Sequence, residues 1–254
     1  MNNNSNTLFV GKVLLHLEEL DSTNAYALNL LSKNKPSEGT VISAWKQTKG
    51  RGQIGSEWES EAGKNITLSV ILYPTFLPIK QQFLLNQAIS LSIFDFIYRF
   101  INTDVKIKWP NDIMVREKKI AGILIQNTLS ANIFQTSIIG LGINTNQSVF
   151  KSDAPNPTSI KLETNKENDL KNLIALLCDD IEKRYLQLRS HNESIIQKDY
   201  LSNLFRFQED AIYQRMDNEM VFSGKIVGVS ESGKLIIDHK KGQSAFSMKE
   251  VKFL

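Results

Sequence analysis

The sequence predicts an α+β fold that ends in a small, separate β unit. Three observations carry the prediction. Short runs of alternating apolar and polar residues recur along the chain, the period of strands. Between them lie stretches with apolar residues at helical spacing, above all Lys80 to Ile101 and Leu170 to Leu188. After about Gln208 the helical spacing stops, and short strands follow one another across glycine-containing turns. The 254 residues are 41% hydrophobic, which is material for one medium domain and one small one. The expected division is 1–207 for the main domain and 208–254 for a β-barrel.

Taken in order, Val13 to Leu17 reads as a strand. Asp21-Ser22-Thr23-Asn24 precedes the apolar run from Ala25 to Leu31, an N-cap signal for a helix that Pro36 and Gly39 end. Thr40 to Trp45 and Asn65 to Leu72 are strands on either side of a glycine-rich loop. In Lys80 to Ile101, Phe83, Leu84, Ala88, Leu91, Phe94, Ile97 and Ile101 recur at helical spacing, so this is a buried helix. Val105, Ile107 and Trp109 alternate with Lys106 and Lys108, a strand that Pro110 ends. Ile113 to Val115 and Ile120 to Ile125 form a hairpin through Arg116-Glu117-Lys118. Ile133 to Ile139 is a further strand, running into Gly140-Leu141-Gly142-Ile143-Asn144. Leu170 to Leu188 and Ile195 to Leu204 are helices. Met220 to Val229, Lys234 to Asp238 and Ser244 to Met248 are the strands of the small barrel.

Charge and cysteine content narrow the function classes. Lys+Arg 30 against Asp+Glu 27 gives +3, too balanced for a general polyanion binder, so no nucleic-acid partner is expected. A single cysteine, Cys178, excludes an intramolecular disulfide framework and a Cys-based zinc site, and no metal site is expected in the chain itself. The polar start, Met1 to Asn6, has no apolar signal-peptide run, and no apolar stretch reaches membrane-spanning length. A cytoplasmic protein without a membrane partner is expected, with its oligomeric state open.

The loop Lys46-Gln47-Thr48-Lys49-Gly50-Arg51-Gly52-Gln53-Ile54-Gly55-Ser56-Glu57-Trp58 is the centre of the functional reading. Its glycines let the backbone turn and expose N–H groups, and Lys46, Lys49 and Arg51 add positive charge. Such a loop suits an anion. Gly50-x-Gly52-x-x-Gly55 also fits the dinucleotide fingerprint, but a strand follows where that fold needs a helix.

Five segments stand in order along the chain: Asp21 to Asn24, the glycine loop, Lys108-Trp109-Pro110-Asn111-Asp112, Lys119-Ile120-Ala121-Gly122-Ile123-Leu124, and Gly140 to Asn144. Together they resemble the biotin protein ligase family, over nearly the whole chain. The resemblance implies the class II synthetase and biotin ligase architecture: a mixed, mostly antiparallel sheet with flanking helices and a C-terminal SH3-like barrel. It implies two substrates, biotin and ATP, with Mg2+ on the phosphates. Biotin's carboxylate attacks the α-phosphorus to give biotinyl-5′-AMP and pyrophosphate. A lysine of a biotin carboxyl carrier protein then displaces AMP.

By that resemblance Arg51, Lys119 and Asp112 are the catalytic candidates. Ser22, Thr23, Asn24, Gln47, Gly50, Arg51, Gly52, Gln53, Lys119, Gly122, Ile123 and Leu124 are the candidates for biotin and the adenylate. Lys108, Trp109, Asn111 and Asn144 are those for ATP. The residue types suit the task. Bringing a carboxylate against a triphosphate needs cations and N–H dipoles in a water-poor site. Arg51 can pair with two oxygens at once, and Lys119 can act as a point charge. Each position also has a plainer reading. Ser22 and Thr23 cap a helix, Lys119 is a solvated hairpin lysine, Asn111, Asp112 and Asn144 are turn residues, and Trp58 and Trp109 are core aromatics. The joint order of the segments favours the site for Arg51, Lys119, Asn111 and Asp112, and does less for the tryptophans.

Two departures from the family pattern stand out. Gln53 replaces an arginine common in relatives, and Ile54 and Ser56 replace basic residues of some, so the loop is less basic. The stretch before Asp21 is too short for the helix-turn-helix domain that some relatives carry, so a ligase without a repressor role is expected. The alternatives are a lipoate or octanoyl transferase and a non-catalytic biotin-sensing module. The Arg-Arg-x-Ser-Gly-Gly-Gly pattern of the former is absent from the sequence.

Overall fold

Elements form where the apolar period predicts them. The computed structural model describes residues 6–53, 55–130, 133–151 and 156–254. Met1 to Ser5, at the polar start, and Ile54, in the glycine loop, lie outside the described residues. In chain order the first half contains β1 (Leu14–Leu20), α1 (Thr23–Lys33), β2 (Val41–Gln47), β3 (Ile66–Leu72), α2 (Gln82–Tyr98), β4 (Val105–Lys108) and β5 (Asp112–Val115). Then come β6 (Lys118–Ser130), β7 (Ile133–Ile143), α3 (Ile160–Thr164), α4 (Leu170–Arg189) and α5 (Glu193–Ser202). The last stretch holds β8 (Asp210–Arg215), β9 (Val221–Val229), β10 (Leu235–His239), β11 (Gly242–Phe246) and β12 (Val251–Phe253).

Strands β1 to β7 form one seven-stranded sheet in the order β1-β2-β3-β7-β6-β5-β4. The β1–β2 pair is parallel, because α1 crosses over between them. The other neighbours are antiparallel. Strand alternation separates two cores. Val41, Val70 and Ile139 join a large cluster with α2, α4 and α5. Their sequence neighbours Ile42, Ile71 and Ile138 point the other way, to a small cluster with Ala27 of α1. Helix α1 is short, so it covers only part of its face and leaves the rest of that face open. Strand β3 is buried along its whole length, and the two polar residues that interrupt its apolar run, Thr67 and Ser69, have their hydroxyls hydrogen-bonded.

The α+β class predicted from the sequence is the one observed. The C-terminal strands form a five-stranded antiparallel sheet, β11-β10-β9-β8-β12. Its edges β11 and β12 are not paired with each other among the described residues, so a closed barrel is not shown. Tyr213, Ile226, Leu235, Ile237, Phe246 and Val251 of this unit pack into the same large cluster as the main sheet. Strands β8 and β12 and helix α3 escaped the sequence reading. They are short, and β8 carries polar residues at the positions a pattern search needs.

Cys178 lies in α4, fully buried, and burial pushes its thiol up to about 12, so it is a packing residue. Among the described residues no helix is long and apolar enough to cross a membrane.

Candidate active site

The open part of the α1 face holds a cavity of about 200 Å³. Its floor is the β6–β7 ladder, where two successive rungs point the same way. Gly122 pairs with Gly142, and Leu124 pairs with Gly140. Successive rungs on one face lie roughly 7 Å apart. Glycine is required at the floor because side chains from elsewhere occupy the space. A Cβ at Gly142 would lie 2.2 Å from the Trp58 ring, and one at Gly140 would lie 2.3 Å from Asn24 Oδ1. The first rung therefore carries the Trp58 indole and the second carries Asn24. The indole Nε1 is buried with no hydrogen-bond partner among the described residues.

Around the second rung the groups are neutral and polar. Ser22 occupies the N-cap position of α1 but its side chain makes no capping hydrogen bond, and it faces the cavity instead. The Thr23 backbone N–H donates to Gln47 Oε1 at 2.8 Å. Asn24 Nδ2 donates to Gln126 Oε1 at 2.9 Å, and Ser69 joins the group through Thr23 Oγ1 and Asn24 Oδ1.

Around the first rung the groups are charged. Lys119 Nζ lies 2.7 Å from Asp112 Oδ1 and 5.6 Å from the Trp58 ring centroid. A register shift delivers Lys119 to this face. Ile113 pairs with Ala121 but Met114 pairs with Lys119, so Ile120 is an extra residue in β6. Without that bulge Lys119 and Gly122 would point to opposite faces; with it they share one. Residues 156–158 brace the bulge: Lys119 N–H donates to Asn156 O at 2.8 Å, and Thr158 N–H donates to Lys119 O at 2.9 Å.

The glycine loop folds back as a hairpin over the cavity. Gly52 N–H donates to Ser56 O at 2.9 Å, and Trp58 N–H donates to Gly50 O at 3.0 Å. Its three cations do not act together as the sequence suggested. Lys46 pairs with Glu19 at 2.9 Å and Lys49 with Asp21 at 3.6 Å, both at the surface. The Thr48 hydroxyl and Lys49 hold the exposed Asp21 carboxyl below the usual carboxylate range. Arg51 lines the cavity and forms no ion pair among the described residues. Gln53 reaches across to Ile123 O at 3.5 Å.

Of the predicted residues, Ser22, Thr23, Asn24, Gln47, Arg51, Gly52, Gln53, Asn111, Asp112, Lys119, Gly122, Ile123 and Leu124 line the cavity together. Four do not. Gly50 shapes the hairpin, since a Cβ there would lie 2.3 Å from Trp58 O. Trp109 is buried, and its Nε1 donates to Gly233 O of the C-terminal unit at 2.9 Å. Lys108 lies 5.1 Å from the Phe253 ring centroid, and burial lowers its pKa while nearby Asp112 opposes the shift. Asn144 sits under the bulge. Its N–H donates to Ile120 O at 2.9 Å, its Nδ2 donates to Thr158 O at 2.9 Å, and its Oδ1 is buried with no partner among the described residues. Sequence reasoning did not single out Ser69 or Gln126, quoted Gly140 only within the Gly140 to Asn144 segment, and left Trp58 as a core aromatic. The available signal was the glycine pair on β7 opposite Gly122 of β6, since glycine inside a buried strand marks a close approach from above.

Residues 17–144 match the biotin/lipoate A/B protein ligase family. The chain belongs to this family. Among relatives, the bifunctional ligase/repressor BirA of Bacillus subtilis (strain 168) is 30% identical over 243 residues, covering 93% of this chain and 72% of that protein. A biotin--[acetyl-CoA-carboxylase] ligase of Paracoccus denitrificans is 29% identical over 249 residues, covering 93% of this chain and 99% of that protein. The structure of a biotin protein ligase from Aquifex aeolicus in complex with biotin and ATP superposes with a TM-score of 0.79 at 26% identity. The match covers 96% of this chain and all of that one. Against this family background, the N-terminal end of α1, the glycine hairpin and the β6–β7 floor all fall inside the matched segment.

Proposed function

We infer that this member of the family is an ATP-dependent biotin protein ligase. It activates biotin as biotinyl-5′-AMP and transfers the acyl group to a lysine of a biotin carboxyl carrier protein. The observation that carries the reading is the division of one cavity floor. A neutral amide and hydroxyl cluster lies over one rung, a lysine and an aspartate gather beside an indole at the next, and Arg51 lines the same cavity. Biotin offers the same division, with a neutral ureido ring at one end and a reactive carboxylate at the other.

The roles follow from chemistry. In the first step a carboxylate oxygen bonds to the α-phosphorus while the bond to pyrophosphate breaks. Two anions must meet, and Arg51 and Lys119 offset their repulsion. Asp112 holds the Lys119 ammonium in place, 2.7 Å away. In the second step the carrier lysine must lose a proton, because an amine with a pKa near about 10.4 is almost wholly charged at neutral pH. Asp112 is the proposed acceptor through the oxygen that Lys119 does not hold. Asn111 is assigned to the nucleotide, and Asn144, outside the cavity lining, acts at one remove by holding the Lys119 bulge. Lys108 and Trp109 act at one remove, by docking the C-terminal unit beside the same segment. Magnesium is expected to arrive on the ATP phosphates. Among the described residues no group of three or more His, Cys, Asp or Glu stands ready to hold a metal.

The test is incubation with biotin, Mg-ATP and a carrier domain. Biotin-dependent pyrophosphate release and a mass increase of one biotin on the carrier are expected. Equal activity with lipoate, or pyrophosphate release that ignores biotin, overturns the reading.

A further inference from the structure

We propose that Ser69, together with Asn24, fixes the direction of the Thr23 hydroxyl, so that Thr23 presents a lone pair to the cavity and selects a ligand carrying a ring N–H there. Ser69 is a positioning residue, fully buried on β3, and acts through Thr23.

The argument is one of proton counting. Asn24 Nδ2 donates to Gln126 Oε1 at 2.9 Å and lies 3.4 Å from Leu124 O. Turning that amide over would set Oδ1 against Leu124 O, a backbone acceptor that cannot turn to become a donor, so Oδ1 faces Ser69. An amide oxygen only accepts, and a serine hydroxyl has one proton. The Ser69 proton therefore goes to Asn24 Oδ1, 2.6 Å away. Ser69 Oγ has only lone pairs left for Thr23 Oγ1 at 2.8 Å, so the Thr23 proton points inward to Ser69. What Thr23 can still offer is an acceptor. Next to it, the Thr23 backbone N–H occupies Gln47 Oε1, which leaves the Gln47 Nε2–H2 group as a donor. An acceptor beside a donor complements an N–H beside a C=O, the edge of a cyclic urea. Gly140 belongs to the same device. Ser69 and Gly140 are cross-strand partners, and any side chain at Gly140 would displace the Asn24 amide.

This inference rests on the biotin reading for the identity of the N–H donor. The test compares biotin with its two cyclic-carbamate analogues, each with a ring oxygen in place of one ring N–H, by pyrophosphate release. For the wild type, the analogue lacking the N–H that meets Thr23 should lose about 10²-fold in kcat/KM, because two lone pairs then face each other. In Ser69→Ala the Thr23 proton is free to turn outward, and that ratio should shrink to about threefold. Ser69→Thr keeps the hydroxyl and should restore most of it. Gln126→Leu loosens the Asn24 amide from the exposed side and should narrow the ratio partway, which keeps the test available should Ser69→Ala not fold. A general loosening of the pocket would instead weaken biotin and both analogues alike and leave the ratio at its wild-type value. That outcome in the variants overturns the proposal. A wild type that releases no pyrophosphate with biotin overturns the ligase reading itself, a separate result.

Discussion

One pentapeptide, Lys108 to Asp112, serves two regions that work by different physics. Its second half opens onto the cavity. Asn111 Nδ2 donates to Ile123 O at 2.8 Å, and Asp112 holds Lys119. Its first half faces the seam with the C-terminal unit. There Trp109 bonds Gly233 O and Lys108 covers Phe253. The cavity leaves Trp58 Nε1 short of a partner, while Trp109 in the seam has its one donor satisfied. Unsatisfied buried polar atoms are costly in a resting protein and useful where a ligand will satisfy them. The contrast teaches that a motif which looks uniform in sequence can hold ligand-facing and packing residues side by side.

Changes on the cavity side should separate activity from stability most sharply. Arg51→Ala or Lys119→Ala is expected to cut biotin-dependent pyrophosphate release by about 10²-fold or more, since each meets charge that develops in the first step. Thermal unfolding should hardly move, because Arg51 is exposed and Lys119 sits at the start of its strand. Pyrophosphate release near the wild-type rate would break the distinction between the regions.

On the seam side the order of effects should reverse. Trp109→Phe keeps a ring but leaves Gly233 O without its donor, a loss of about 1–3 kcal/mol. Urea unfolding should show it, with a smaller change in pyrophosphate release. A variant that loses activity but no stability would place Trp109 with the cavity residues instead.

A smaller effect is expected at Gln53, the position where the family pattern often has arginine. Both side chains can donate to a phosphate, so Gln53→Arg should strengthen the hold on the adenylate by only about 1 kcal/mol, roughly fivefold in escape rate. Stray biotin on albumin, with no carrier domain present, reads that leakage. Equal labelling by the wild type and the variant would show that position 53 does not touch the intermediate.

The smallest effect concerns Lys108. Burial lowers its folded pKa below the unfolded value, so the unfolded chain binds the proton more readily. The stability penalty is present in full below the lowered folded value and is relieved as pH rises from there towards the usual lysine value. Lys108→Met should therefore stabilise the protein slightly at neutral pH, with an advantage that shrinks in thermal melts at rising alkaline pH. A difference between variant and wild type that stays constant with pH would show that Lys108 carries no such penalty.

Much of this was legible from the chain. The period of β3, α2 and α4 was clear because each is buried on a consistent face or all round. Thirteen of the predicted site residues meet in one cavity because their segments bracket the strands and helix that build it. Ser69 and Gln126 were not legible, because inside a strand a serine or glutamine looks like any other polar position. Trp58 was ambiguous because its meaning depends on glycines more than sixty residues away. Lys108 and Trp109 were read with the site because nothing in the pentapeptide says where the chain turns away from the cavity.

The sequence by itself determined most of the segments that become strands and helices, the α+β class, and the order of the motifs. These follow from local spacing, since a period of two or 3.6 is written in neighbouring residues. Only the tertiary structure decided which side chains share the cavity. Lys119 reaches the face of Gly122 through one extra residue, Ile120, and that bulge exists only relative to the pairing of β5 with β6. Trp58 becomes part of the site only because Gly122 and Gly142 meet on adjacent strands. Alternation tells which residues of a strand point together, but which direction that is depends on the partner strand across the ladder.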